Sequence, residues 1–201
     1  EGGWNALQFP ADFGGQGLPK LVATPVMGMW KSANLSFSLC PLLTGGAIEA
    51  LMLKGSESQK QTFLPAIARG EFTFALGMSE PGSGSDLASV RTRAEQVDGG
   101  WRVTGQKVWT SWAHKADAFL CLCRTAADEG DRHKGLSQLI VDLKAPGVTI
   151  RPIRFLDGRH TFNEVFLDNV FVPDAGVVGT IGEGWKQVTS ELALERSGPE
   201  R

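Results

Sequence analysis

The chain has 201 residues, 42% of them hydrophobic and 21% charged, with a formal net charge of −2 and a pI near 6.0. That composition is enough for one large or two small domains with real cores. It offers no basic surplus for a phosphate backbone, which argues against nucleic acid as a partner, and no apolar run is long enough to cross a bilayer.

The first third reads helical. "PKLVATPVMGMWKSAN" (Pro19 to Asn34) carries apolar residues at helical spacing. Pro41 precedes "LLTGGAIEALMLKG", which stops at Gly55, a natural C′ glycine. "SESQKQTFLPAIARG" opens on Ser56 as N-cap, with Gln59 three residues on as a capping box requires, and Gly70 closes it.

The texture changes at Glu71. Strands are expected over Phe72 to Met78, Val90 to Val97, Trp101 to Trp109, Ala118 to Arg124, Leu136 to Asp142, Val148 to Ile153 and Glu164 to Val172. "DGG" (Asp98 to Gly100) reads as a short hairpin loop. Many short strands with no helices between them predict an antiparallel barrel or sandwich. After Pro173 the pattern turns helical again in "GEGWKQVTSELALER".

Cys40, Cys121 and Cys123 are an odd count without framework spacing, which points to a reducing compartment. Cys121 and Cys123 alternate in "AFLCLCR" and so share one strand face as small hydrophobes. His114, His133 and His160 have no partner at metal-ligand spacing, so no metal is expected. Tyrosine is absent, which removes it as acid, base or stacking ring.

Two stretches carry candidate chemistry. "LGMSEPGSGSD" (Leu76 to Asp86) packs three glycines, three serines, a proline and two acids between strands. Glycines permit close backbone approach and serines add donors, so the run reads either as a cofactor cradle or as an inter-strand loop. It lacks the "GK[ST]" of a P-loop and the spacing of a dinucleotide turn. In "GQKVWTSWAHKAD", Trp109 and Trp112 flank Thr110 and Ser111. An indole can pack on a flat heteroaromatic ring while Ser111 hydrogen-bonds its heteroatom; the alternative is that both tryptophans are core or interface.

"GMSEPGSGSDLAS" (Gly77 to Ser89) resembles the signature of the acyl-CoA dehydrogenases at every defined position. "GQKVWTSWAHKAD", "HKGLSQLIVD", "PGVTIRPIRFLDGRHTFNEVFLDNVFVP" and "GEGWKQVTSELALER" follow in that family's order. The resemblance implies a helical N-terminal domain (residues 1–70, incomplete at its start), a middle antiparallel β-barrel that binds flavin (71–178), and the first helix of a truncated C-terminal bundle (179–201). The chain is therefore expected to be a fragment of a longer enzyme.

The resemblance further implies FAD, with Leu76, Met78 and Ser79 lining the isoalloxazine ring and Ser79 donating to it. Gly84 and Ser85 would approach the pyrophosphate, and Ser85 the acyl-CoA as well. Trp109 and Ser111 would contact the ring, Ser111 near N5. Glu80 and Asp86 are expected to brace the loop. The implied reaction is α,β-desaturation of an acyl-CoA to the trans-2-enoyl-CoA, by α-proton abstraction and β-hydride transfer to the flavin. In most members the base is a glutamate of the C-terminal bundle. In the isovaleryl and long-chain branches it precedes an arginine on the bundle's first helix, which makes Glu195 the candidate base and Arg196 a substrate-site residue; the alternative is an ordinary helical glutamate.

The sequence departs from the family at Ala193, where an Asp often contacts the CoA arm, and at Thr110, Ser111 and Trp112, where the family usually has Ile, Thr and Asn. The N-terminal part resembles a bacterial subgroup that includes 3-methylmercaptopropionyl-CoA dehydrogenases, and implies a bacterial cytoplasm rather than a mitochondrial matrix. Implied partners are the acyl-CoA substrate, an electron-transfer flavoprotein and further copies of the chain in a homodimer or homotetramer. An oxidase or monooxygenase on the same scaffold, or a non-catalytic flavin-binding member, are the alternatives.

Overall fold

The computed structural model describes residues 4–35, 40–127 and 130–197; of residues 5, 40–43 and 194–197 it describes the backbone alone. The chain divides into two compact units, residues 1–73 with 191–201, and residues 74–190.

The first unit is helical. Two single 3₁₀ turns, Trp4–Ala6 and Ala11–Phe13, bury Ala6, Leu7, Phe9 and Phe13. Helix α1 spans Lys20–Ala33 and starts after Pro19, which is extended at ψ 152° and serves as the N-cap. Helix α2 spans Cys40–Lys54 and buries Thr44, Ala47, Ala50 and Leu51. It ends where it does because Gly55 tucks against Leu51: its N–H donates to Leu51 O at 2.8 Å, and a Cβ there would stand 2.6 Å from that oxygen.

Helix α3 spans Glu57–Ala68 and has the expected capping box. Gln59 N–H donates to Ser56 Oγ at 3.2 Å, and Ser56 N–H donates to Gln59 Oε1 at 2.9 Å. Two otherwise orphaned donors are thereby satisfied, a device whose loss typically costs about 1 kcal/mol. Gly70, at φ +73°, turns the chain out of the helix.

The second unit is one twisted sheet of eight strands: β1 Phe74–Gly77, β2 Arg93–Val97, β3 Gly100–Ser111, β4 Ala118–Arg124, β5 Leu136–Asp142, β6 Val148–Arg154, β7 His160–Pro173 and β8 Val177–Val178. The hydrogen-bonded order is β6-β7-β3-β2-β4-β5-β8, with β1 added on β4. Most pairings are antiparallel, as expected. β1–β4 and a single residue pair of β2–β4 are parallel.

Side chains from both halves of that order meet in one cluster: Trp101 and Val103 of β3, Phe119, Cys121 and Cys123 of β4, Leu139 and Val141 of β5, Val165 and Val170 of β7. The sheet thus curls around one core like a barrel. Its ladder stays open among the described residues, because β8 is two residues long and pairs only with β5, while β6 pairs only with β7.

Helix α4, Gly184–Ser197, follows. Its first half lies in the sheet unit and the division between the units runs through it. Gln187 locks that first half down: its Nε2 donates to Gln138 Oε1 at 2.8 Å and to Val178 O at 3.0 Å.

Two bulges shape β3 and β7. Between Val103 and Gly105 of β3, β7 carries one extra residue, and Asn169 there takes φ +53°. Between Lys107 and Thr110, β3 carries the extra residue, and Trp109 takes φ +59°. A bulge reverses the in–out alternation beyond it. Trp101, Val103 and Lys107 point inward on odd numbers; past the bulge the buried residue is Thr110, and Trp109 is turned out.

Candidate functional site

β1 runs into the serine-rich loop and lies on β4, with Leu76 opposite Leu120 and Gly77 opposite Cys121. Gly77 has no room for a side chain unless Phe119 moves, since a Cβ would clash with the Cδ2 and Cε2 edge of the Phe119 ring. Beyond β1 the chain turns toward β3. Val108 N–H donates to Ser79 O at 2.9 Å, and Lys107 Nζ donates to Met78 O at 3.1 Å. These two bonds bring Leu76 to Ser79 alongside the segment that carries Trp109 and Ser111.

Trp109 is 58% exposed, so it is not a core residue. Its indole is held on one side by an edge-on contact with Phe162, centroids 6.0 Å apart. A bulky residue in the left-handed region costs on the order of 1–3 kcal/mol and persists only where its surroundings impose it. Trp112, at φ +58°, is different: Lys115 Nζ sits 4.9 Å over its ring, His114 packs at 5.7 Å, and the Trp112 backbone N–H donates to Thr161 O at 2.8 Å. Trp112 closes the turn, and Trp109 is the indole left facing out.

The turn is pinned by Asn163, fully buried on β7 opposite Thr110. Its Nδ2 lies 3.0 Å from Thr110 O, 3.1 Å from Thr161 O and 3.1 Å from His114 Nδ1. Desolvation, then the neighbouring His160 and Lys115, hold the His114 imidazole below its ordinary pKa, against the Asn163 hydrogen bond that raises it.

The two acids of the loop are braces. Glu80 is buried and its carboxylate accepts from Arg91 N at 2.6 Å, Thr92 N at 2.9 Å and Lys107 Nζ at 2.8 Å. Burial pushes this carboxyl up, but the Lys107 ammonium and the hydrogen bonds outweigh burial and hold it below the ordinary carboxylate range. Glu80 and Ser83 also exchange backbone hydrogen bonds at 2.9 and 3.0 Å, closing the turn over Pro81 and Gly82. Asp86 accepts from Ser89 Oγ at 2.7 Å and from Arg132 at 2.7 Å on the surface.

The hydroxyls have different circumstances. Ser83 is spent on Asp86 O at 2.6 Å. No hydrogen bond among the described residues engages the hydroxyls of Ser79, Ser85 or Ser111. Gly82 and Gly84 have open space where a Cβ would stand, so another molecule can approach that backbone closely. An exposed indole face, free hydroxyl donors and an open glycine backbone suit a planar heteroaromatic group with a phosphate tail.

The structure therefore brings Met78 and Ser79 against Lys107 and Val108, next in sequence to Trp109, while Leu76 pairs with Leu120 on β4 and Ser111 with Phe162 on β7. Gly84 and Ser85 are exposed on the far arm of the same loop. Glu195 and Arg196 are on the last turns of α4, in the other unit, and their side chains lie outside the described residues. Sequence reasoning missed Lys107 and Asn163. Lys107 shares the parity of Trp101 and Val103, and an inward lysine calls for an acid nearby. Cys121 and Cys123 are core residues, and burial pushes the Cys123 thiol up, out of reach of nucleophilic work.

The chain matches two family descriptions: acyl-CoA dehydrogenase, N-terminal domain, over residues 1–71, and acyl-CoA dehydrogenase, middle domain, over residues 75–170. It is 52% identical over 150 residues to acyl-CoA dehydrogenase FadE34 of Mycobacterium tuberculosis (strain ATCC 25618 / H37Rv), covering 75% of this chain and 21% of that protein. It is 41% identical over 145 residues to the 3-methylmercaptopropionyl-CoA dehydrogenase of Ruegeria pomeroyi, covering 69% and 24%. A solved variant of the Tcur3481-Tcur3483 steroid ACAD superimposes with a TM-score of 0.88 at 35% identity, over 96% of this chain and 50% of that one. The chain thus spans half the length, or less, of these relatives.

Proposed function

The chain belongs to the acyl-CoA dehydrogenase family, of which it carries the N-terminal and middle domains, and from that premise we propose that the full protein binds FAD and desaturates an acyl-CoA thioester between its α and β carbons. The proposed parts are residues 1–70 as the N-terminal helical domain, 71–178 as the flavin-binding domain, and 179–201 as the start of a C-terminal bundle.

The observation that carries this reading is the convergence of two distant stretches. The two stretches, residues 76–79 and 109–111, are some thirty positions apart in sequence, and the Ser79–Val108 and Met78–Lys107 hydrogen bonds, which join the end of the first to the residues just before Trp109, support reading them as one site. Bound FAD would supply the hydride acceptor. Leu76 and Met78 would pack on its ring, and the Trp109 indole would cover part of one face. Ser79 would donate to a ring heteroatom and Ser111 would hydrogen-bond at the N5 edge. Gly84 and Ser85 would give the pyrophosphate and the thioester close approach to exposed N–H groups.

The α-proton of a thioester is weakly acidic, so its removal needs a desolvated carboxylate. Glu195 is the candidate for that base, by its position before an arginine as in the isovaleryl and long-chain branches, with Arg196 as a substrate-site residue; the alternative is a glutamate elsewhere in the C-terminal bundle. An electron-transfer flavoprotein is the proposed acceptor, and a homo-oligomer the proposed assembly.

The test is product analysis. The FAD-loaded full protein is incubated with an artificial electron acceptor and a panel of thioesters: straight-chain, branched, 3-methylmercaptopropionyl and steroid acyl-CoAs. The last two enter because relatives carry those names. At least one is expected to lose two hydrogens and become the trans-2-enoyl-CoA under nitrogen. Conversion that requires O₂ would favour an oxidase, and no conversion of any thioester would sink the reading.

A further inference from the structure

Lys107 is among the largest fully buried side chains of the described residues, at 0% exposure. Lysine is almost never fully buried without a partner. Its partner is Glu80 at 2.8 Å, itself only 6% exposed at the side chain. Stability alone does not account for such a pair, since well-packed apolar residues of similar volume generally do as well or better. What an apolar pair cannot do is hold a carbonyl.

Lys107 spends a second donor on Met78 O, at 3.1 Å. The Met78–Ser79 peptide is trans, as are all those described, so its C=O and N–H point in opposite directions. With the carbonyl turned in to the ammonium, the Ser79 N–H is turned away from it. The next peptide is fixed too, because Ser79 O accepts from Val108 N. No hydrogen bond among the described residues uses the Ser79 N–H or its hydroxyl. Hydrogen bonding at an amide oxygen also polarises that amide and strengthens its N–H as a donor.

We propose that Lys107, anchored by Glu80, is a positioning residue for the flavin: by holding the Met78 carbonyl it aims and strengthens the Ser79 N–H as a donor to the bound ring. Glu80 neutralises and orients the ammonium, and is itself fixed by the Arg91 and Thr92 N–H groups. The inference rests on the FAD reading above.

The test uses the full protein and its Lys107→Met, Glu80→Gln and double variants. Three quantities are read: the thermal midpoint of the flavin-free form, the Kd for FAD, and the visible spectrum of the bound flavin. Each single variant is expected to lower the midpoint and weaken FAD binding. In the double variant no buried charge is left unpaired; Arg91 N and Thr92 N bond different carboxylate oxygens, so the glutamine oxygen keeps one of the two N–H groups. Its midpoint is expected to rise above that of either single variant, while its Kd stays about tenfold weaker than wild type and its flavin spectrum stays shifted. A double variant that binds FAD as tightly as wild type, with the wild-type spectrum, would overturn the inference.

A measurement without variants covers the case in which they do not fold. Amide hydrogen exchange at Ser79 in the wild type is expected to slow when FAD is added. FAD binding with unchanged exchange there overturns the inference and leaves the FAD reading intact. A wild type that binds no FAD overturns both.

Discussion

Trp109 sits in the left-handed region, more than half exposed, on the extra residue of a bulge. Three terms oppose one another in Trp109→Gly. Relief of backbone strain favours the variant by about 1–2 kcal/mol. The lost contact with Phe162 costs about 0.5–1.5 kcal/mol, and the added freedom of the unfolded chain costs about 0.5–1 kcal/mol. They nearly cancel, so Trp109→Gly is expected to leave the denaturant midpoint of the flavin-free protein within about 1 kcal/mol of wild type while weakening FAD binding several-fold. A large loss of stability with unchanged FAD affinity would make Trp109 a structural residue. The type of this residue was legible in "KVWTSW"; its exposure was not. Alternation alone puts residue 109 on the same inward face as Val103 and Lys107, and only the bulge turns it out. Nothing local announces that bulge, since no glycine stands there.

Elements whose boundaries depend on local chemistry were the ones the sequence disclosed. Ser56 with Gln59 set the start of α3, and Gly55 and Gly70 the ends of α2 and α3. β4 and β5 span the expected residues because apolar runs bounded by turns leave few alternatives. β1 is shorter than expected and β7 longer, since pairing partners decide where a strand stops. Two-residue β8 has no sequence signature and was not foreseen. The tie between the serine-rich loop and β3 is likewise non-local: Glu80 and Lys107 are 27 positions apart, and their pairing follows only once Lys107 is known to face inward. That tie carries a pH signature. The Glu80 carboxyl titrates below its ordinary range in the folded state, so its contribution is complete above the carboxylate pKa of the unfolded chain and is lost as pH falls through the lowered folded value. Acid titration of stability is expected to show a steeper loss in wild type than in Glu80→Gln with Lys107→Met, where that carboxyl is absent. Equal slopes would remove Glu80 from the account.

At the scale of the whole molecule, the chain is two compact units, and the candidate flavin residues all belong to residues 74–190. Ordered family blocks made this organisation readable: the glycine- and serine-rich run by itself left a loop and a cradle both open, and its order relative to Trp109 and "ELALER" favoured the cradle. What was not readable is the base. Glu195 is assigned by position in a helix, not by contact. Whether these residues form an acyl-CoA-oxidising flavin site is decided by rapid anaerobic mixing of the FAD-loaded full protein with its best thioester. Bleaching of the flavin band is expected as the enoyl-CoA forms, slowed about 10²–10⁴-fold in Glu195→Gln with FAD affinity unchanged. A flavin that no thioester bleaches would rule out such a site, and undiminished bleaching in Glu195→Gln would move the base to another residue.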